Sequence, residues 1–195
     1  MKEKFLALIQ NALDAVDQEY YAITPTYAPL GIVRERVFCY EYYHQMRLIQ
    51  KEDKLTEFSI HGEVDKRGYR LFDPDARRNP DFIFHIPGSM NNNMVVIEVK
   101  GKIGSRYKRS VFKDIQTLSR FTNTQHMYHL GLLIIYNYSL QEFKQRFFLE
   151  YIKQRVENEC LEIDRIIVLC KKDHNHPVEL EYLSSILNGV SKCQN

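Results

Sequence analysis

The chain has 195 residues, 44% hydrophobic and 27% charged, close to globular averages, which argues against disorder and against a membrane-embedded protein. Its 27 Lys and Arg against 25 Asp and Glu leave a net charge of only +2, so overall charge says little about its partners. The longest apolar run, from Leu130 to Tyr136, is too short to cross a bilayer. One domain spanning 1–195 is expected, long enough to bury a core without staples. Cys39, Cys160, Cys170 and Cys193 form no CxxC pair, which favours a reducing, cytoplasmic setting.

Taken in chain order, Phe5, Leu8, Ile9, Ala12, Leu13 and Val16 repeat at helical spacing, predicting an amphipathic helix over 3–19 rather than an export signal. A loop with Pro25 and Pro29 follows, then a second helix over about 31–50. Strands are expected near 56–63, 81–86 and 93–100, with a short extra one around Tyr69 to Phe72. Ser110 is a candidate N-cap for a helix through "VFKDIQTLSRF". Then come a buried strand "HLGLLIIYN", a long helix over about 140–157, a strand "DRIIVLC" and a short C-terminal helix. Strands that come consecutively and then alternate with helices predict an α/β fold with a mixed central sheet flanked by helices.

The stretch "PDFIFHIPGSMNNNMVVIEVK" (80–100) holds two β-like runs around a turn-rich centre, the pattern of an antiparallel hairpin. With the turn centred between Ser89 and Met90, residue i faces residue 179 minus i, which sets Ile83 against Val96 and Asp81 against Glu98. Glu98 and Lys100, two apart in a strand, project from one face. Two carboxylates would then meet at one end of the sheet, where like charges at cross-strand distance need a compensator. A divalent cation or the Lys100 ammonium would serve.

Pro80-Asp81, followed after a hairpin by Glu98-Val99-Lys100, resembles the signature of the PD-(D/E)xK nuclease superfamily, the restriction-endonuclease-like fold. The predicted element order over about 31–137 is similar to that family's αβββαβ core, with the N-terminal helix and a C-terminal α/β segment as additions. The resemblance implies a metal-dependent endonuclease that hydrolyses phosphodiester bonds, DNA being expected ahead of RNA. It implies Mg²⁺ or Mn²⁺ held by Asp81, Glu98 and the Val99 carbonyl, hard oxygen donors suited to such ions. Lys100 would orient or help deprotonate the attacking water and stabilise charge on the phosphate.

In "RERVFCYEYYHQMRL", Val37, Glu41, His44 and Leu48 form one helical stripe, and an acid on a core-facing stripe must be paired or bind metal. Arg34 and Arg47 are candidate partners for Glu41; the resemblance instead directs it at the metal, and that reading is preferred. His44 is left out of the ligand set. Glu63 is a further acid to test, whereas Asp65 belongs to a turn. Lys113, Gln116 and Arg120 share a helix face, and by resemblance Gln116 lies near the scissile phosphate, although Arg120 stands where some subfamilies have Tyr.

The segment "KGKIGSRYKR" carries five basic residues and no acid. Lys102, Arg106, Lys108 and Arg109 are therefore expected to contact nucleic-acid phosphates independently of sequence. "CKKDHNHP" lacks the second cluster a tetrahedral zinc site needs, and is read as a polar turn. Most of the 13 tyrosines are read as packing residues rather than base-stacking platforms. The alternative function is a nucleic-acid-binding or assembly subunit of a larger DNA-processing or defence complex, with little activity alone. A homodimer or a partner protein that selects the target is compatible with both readings.

Overall fold

The computed structural model describes residues 2–23, 31–62, 79–88, 93–123, 128–145 and 148–188. Helix α1 (Lys2–Asp14) buries all six of the periodic residues Phe5, Leu8, Ile9, Ala12, Leu13 and, just past its end, Val16. It stops earlier than expected, and Gln18–Tyr20 form a separate 3₁₀ turn. Ile23 and Ile32 then pair as an isolated antiparallel bridge, with Gly31 at φ 74°. That bridge keeps residues 31–34 out of the helix, so α2 (Glu35–Glu52) begins at Glu35 and not at 31.

Three antiparallel strands follow: β1 (Ser59–Gly62), β2 (Phe82–His85) and β3 (Asn93–Lys100). Helix α3 (Lys108–Thr122) crosses to β4 (Leu130–Tyr136), parallel to β3. Helices α4 (Leu140–Lys144) and α5 (Phe148–Asn158) lead to β5 (Ile166–Lys171), parallel to β4; β6 (Glu179–Tyr182) is antiparallel to β5, and α6 (Leu183–Asn188) closes the series. Among the described residues this is one six-stranded mixed sheet in the order β1-β2-β3-β4-β5-β6, flanked by helices. The three central parallel strands are buried along their apolar runs, as strands covered on both faces must be. No helix among the described residues is long and apolar enough to cross a membrane.

The pleat sorts side chains into two cores. Val95, Ile97 and Val99 of β3 pack with α1 and α2, while Val96 packs with Ile83 and with Val111, Ile115 and Leu118 of α3. Residues 98 and 100 share the parity of Val96, so Glu98 and Lys100 are presented on the α3 side. The β2–β3 register is Phe82↔Ile97, Ile83↔Val96 and Phe84↔Val95, the 179-minus-i pairing. It shifts by one at His85↔Asn93, next to the turn.

Several expected boundaries move. Helix α3 starts at Lys108 with Tyr107 before it, and Ser110 lies inside the helix; the Tyr107 N–H to Gly104 carbonyl turn (2.9 Å) sets the first helical turn before Ser110. The helix expected over 140–157 is two helices, the first opened by a capping box in which Ser139 Oγ accepts from Glu142 N–H. Strand β6 has alternating charge, "ELEY", and carries no apolar run to betray it, because an edge strand needs only one inward row. The expected strand near 69–72 lies outside the described residues, as do Glu63 and Asp65.

The stripe expected to face the core from α2 is displaced. Phe38, Tyr42, Met46 and Gln50 are buried, whereas Val37 and Glu41 are half-buried and His44 and Leu48 exposed. The helix carries two candidate stripes one residue apart, and the one with the larger apolar area takes the sheet. Phe38 stacks on Tyr136 of β4, with centroids 3.9 Å apart and planes within 3°. The tyrosines divide in the same way: Tyr21, Tyr42, Tyr128 and Tyr136 are fully buried, while Tyr40 is largely exposed.

Candidate active site

Asp81 immediately precedes β2, beyond the last ladder residue Phe82, and Glu98 immediately follows Ile97 on β3. The Asp81 carboxylate takes over where the β2 ladder ends: Oδ2 accepts the Val99 backbone N–H at 2.7 Å. Glu98 is buried, with only 6% of its surface exposed, and its carboxyl lies near that of Asp81. Burial, then the neighbouring Asp114 and Asp81, push the Glu98 carboxyl well above the usual carboxylate range. Asp81 is raised too, by burial, with the Val99 N–H and Lys100 working against the shift.

Lys100 organises the other half of the cluster. Its Nζ lies 3.1 Å from Glu35 Oε1 and 3.1 Å from Asp114 Oδ2. The Glu35 interaction is a hydrogen bond; the Asp114 interaction is an ion pair lacking hydrogen-bond geometry, which leaves that buried oxygen without a hydrogen-bond partner. Burial pulls the Lys100 pKa down, but Asp114 and Glu35 more than offset it and the net shift is upward. The ammonium therefore stays charged at neutral pH. Burial, opposed by Lys100 and assisted by Asp81 and Glu35, raises Asp114 to about 7.

Glu35 is held by its place in the chain. It is the first residue of α2, where the free N–H groups and the helix dipole favour an acid, and its Oε2 accepts the Gly101 backbone N–H at 3.2 Å. Gly101 has no side chain for a steric reason: a Cβ there would lie 2.2 Å from Tyr136 Cζ and 2.3 Å from its hydroxyl. The buried Tyr136 ring thus packs directly beneath the backbone that follows Lys100.

Asp81, Glu98 and Lys100 are brought together as the hairpin register requires. Glu41 is not among the groups gathered with them; its carboxylate accepts from Gln45 Nε2 one turn along, at 2.6 Å. The α2 acid at the cluster is Glu35, which the shifted helix start brings there. Gln116, expected near the scissile phosphate, donates its amide N–H to Glu159, just past the end of α5. Asp114 is absent from the residues expected at the site, although its signal is visible: it falls at i+3 from Val111 and four before Leu118, an acid on the buried stripe of α3. Lys102, Arg106 and Arg109 are exposed, whereas Lys108 lies over the Tyr151 ring at 4.7 Å and begins α3 rather than a loop. In the "CKKDHNHP" segment His176 pairs with Asp173 at 2.7 Å, and His174 Nδ1 lies 3.1 Å from the Val16 carbonyl.

Chemically, four carboxyl groups, Glu35, Asp81, Glu98 and Asp114, surround one ammonium. Among the described residues no group of three or more Asp, Glu, His or Cys side chains is arranged to hold a metal ion. The gathering of four carboxyls and the raised pKa of three of them are what a divalent cation beside Asp81 and Glu98 would relieve. Comparison with family models, curated proteins and solved structures finds no match to this chain.

Proposed function

We propose that the chain is a divalent-metal-dependent nuclease of the PD-(D/E)xK type with a restriction-endonuclease-like core, acting on DNA ahead of RNA. The observation that carries this reading is the antiparallel register that puts Asp81 beside Glu98, with Lys100 on the same side of the sheet. The succession α2, β1 to β3, α3 and β4 supports it, being the αβββαβ order of that superfamily.

Asp81, Glu98 and the Val99 carbonyl are the donors for Mg²⁺ or Mn²⁺, and Glu35, the α2 acid at the cluster, holds Lys100 rather than the metal. Two carboxylates and a carbonyl suffice for an ion that keeps several waters beside a phosphate. Such an ion, when bound, supplies a water activated at neutral pH and neutralises charge on the phosphate oxygens. Lys100 stays protonated between Glu35 and Asp114, so it acts as a donor and a fixed positive charge, not as the base. Asp114 holds that ammonium from the α3 side as its second counterion. Glu35 and the Gly101 N–H fix the direction of Lys100, and the buried Tyr136 ring fixes Gly101.

Incubation of the purified chain with supercoiled DNA, single-stranded DNA and RNA, in Mg²⁺, Mn²⁺ or EDTA, tests the reading. Cleavage in the metals and none in EDTA is expected. Undiminished cutting in EDTA rejects the metal site, and binding without cutting on every substrate moves the chain to the class of binding or assembly subunits.

A further inference from the structure

Next to the carboxylate cluster the surface opens into a cleft of about 690 Å³, within the range that holds small organic ligands. Two of its walls, Glu35 and Asp81, belong to the cluster itself; Arg36, Tyr40, Tyr43 and His61 are among the others. Arg36, Tyr40 and Tyr43 stand at i, i+4 and i+7, one stripe of α2 about a third of a turn from the stripe that packs on the sheet. The chain has placed a cation and two aromatic rings on the face of α2 that borders the cluster.

The two rings differ in kind. Tyr43 is a fixed wall: it lies parallel to Phe82, within 3° at a centroid distance of 6.0 Å, and its hydroxyl donates to the Ile60 carbonyl at 3.2 Å. Tyr40 is 63% exposed, the most exposed of the large apolar side chains among the described residues. An aromatic ring left in water at a cleft shared with a phosphate-cleaving cluster fits one class of occupant, a planar base joined to a phosphate.

We infer that this cleft receives an unstacked nucleobase of the nucleotide next to the scissile phosphate, with Tyr40 as its stacking platform, so that the substrate is single-stranded or locally opened nucleic acid. The inference rests on the nuclease reading above and adds the substrate class. Inside an intact duplex the faces of each base are covered by its neighbours, and a ring such as Tyr40 reaches one only after the base leaves the stack. A single strand offers its bases at no such cost, and aromatic platforms beside a cationic group are how proteins hold it without reading sequence.

The test uses the full chain carrying Glu98→Gln to prevent cleavage, with fluorescence anisotropy on four probes: short oligothymidine and oligouridine strands, a blunt duplex, and an abasic strand of the same length. Single strands should bind more tightly than the duplex. Adding Tyr40→Ala should weaken binding to whichever of the oligothymidine and oligouridine strands is the substrate by about tenfold, the size of one base–aromatic stack, and leave the abasic strand unchanged. Tyr40→Phe should restore the affinity. Equal weakening on the abasic strand, or no weakening on either base-bearing strand, overturns the inference. If the unmutated chain cuts nucleic acid while Tyr40→Ala binds and cuts as well as it does, only the cleft assignment falls. If the unmutated chain neither binds nor cuts any nucleic acid, the nuclease reading falls and the cleft assignment with it.

Discussion

Replacing Asp114 with Asn should change how the stability of this protein depends on pH. The Asp114 carboxyl lies at the cluster with 14% of its side chain exposed, and burial raises it from 3.8 to about 7. The folded state therefore holds this proton more tightly than the unfolded chain does. Below the unfolded value both states are protonated and there is no penalty; as pH rises from there to the folded value, the native state binds the extra proton and stability falls. A rise of about three pH units at about 1.4 kcal/mol each makes the full penalty on the order of 4 kcal/mol. Asn reproduces the shape of the protonated acid and cannot ionise, and Lys100 keeps Glu35 as a partner. Urea unfolding of wild type and Asp114→Asn, both in EDTA, should give similar stabilities at about pH 4 and a variant that gains progressively until about pH 8. A difference that stays constant across that range would refute the reasoning. It would mean that Asp114 is ionised throughout as the counterion of Lys100.

Asp81→Asn or Glu98→Gln should lower metal-dependent cleavage by about 10²-fold or more while the urea midpoint stays level or rises, because each replaces one of two crowded buried carboxyls with a group that cannot ionise; a variant that unfolds would make the pair a structural one. Gly101→Ala should cost about 1–3 kcal/mol of stability, since the added methyl lands on the buried Tyr136 ring, which is already stacked against Phe38. An unchanged urea midpoint would show that the ring has room to move. Replacing the exposed Lys102, Arg106 and Arg109 together with Ala should weaken duplex binding on all sequences alike and flatten the log–log salt slope by about 0.9 for each phosphate no longer neutralised. An unaltered slope would send the nucleic acid to another face.

The parts of this protein legible from the chain alone are those specified over short separations. Phe5 to Val16 announce a buried helical stripe by their own spacing, and all six are buried. A turn-rich centre between two β-like runs is enough to register a hairpin, so Asp81, Glu98 and Lys100, all inside the stretch 80–100, could be brought together without knowing what packs on the sheet. The long apolar runs of β3, β4 and β5 likewise state that these strands are covered on both faces.

Only the tertiary structure decided the rest, because it turned on competition between remote partners. Helix α2 has two stripes one residue apart, and their local periodicity is the same; the rings of Tyr136 and Phe82, far along the chain, select Phe38, Tyr42 and Met46. The start of that helix depends on Ile23 pairing with Ile32, and this is what makes Glu35, not Glu41, the acid beside Lys100. Asp114 reaches the same ammonium from α3 because the pleat of β3 presents Lys100 on that face. A charge meets its partner where two elements cross, and the place of crossing is a property of the packed sheet rather than of either segment.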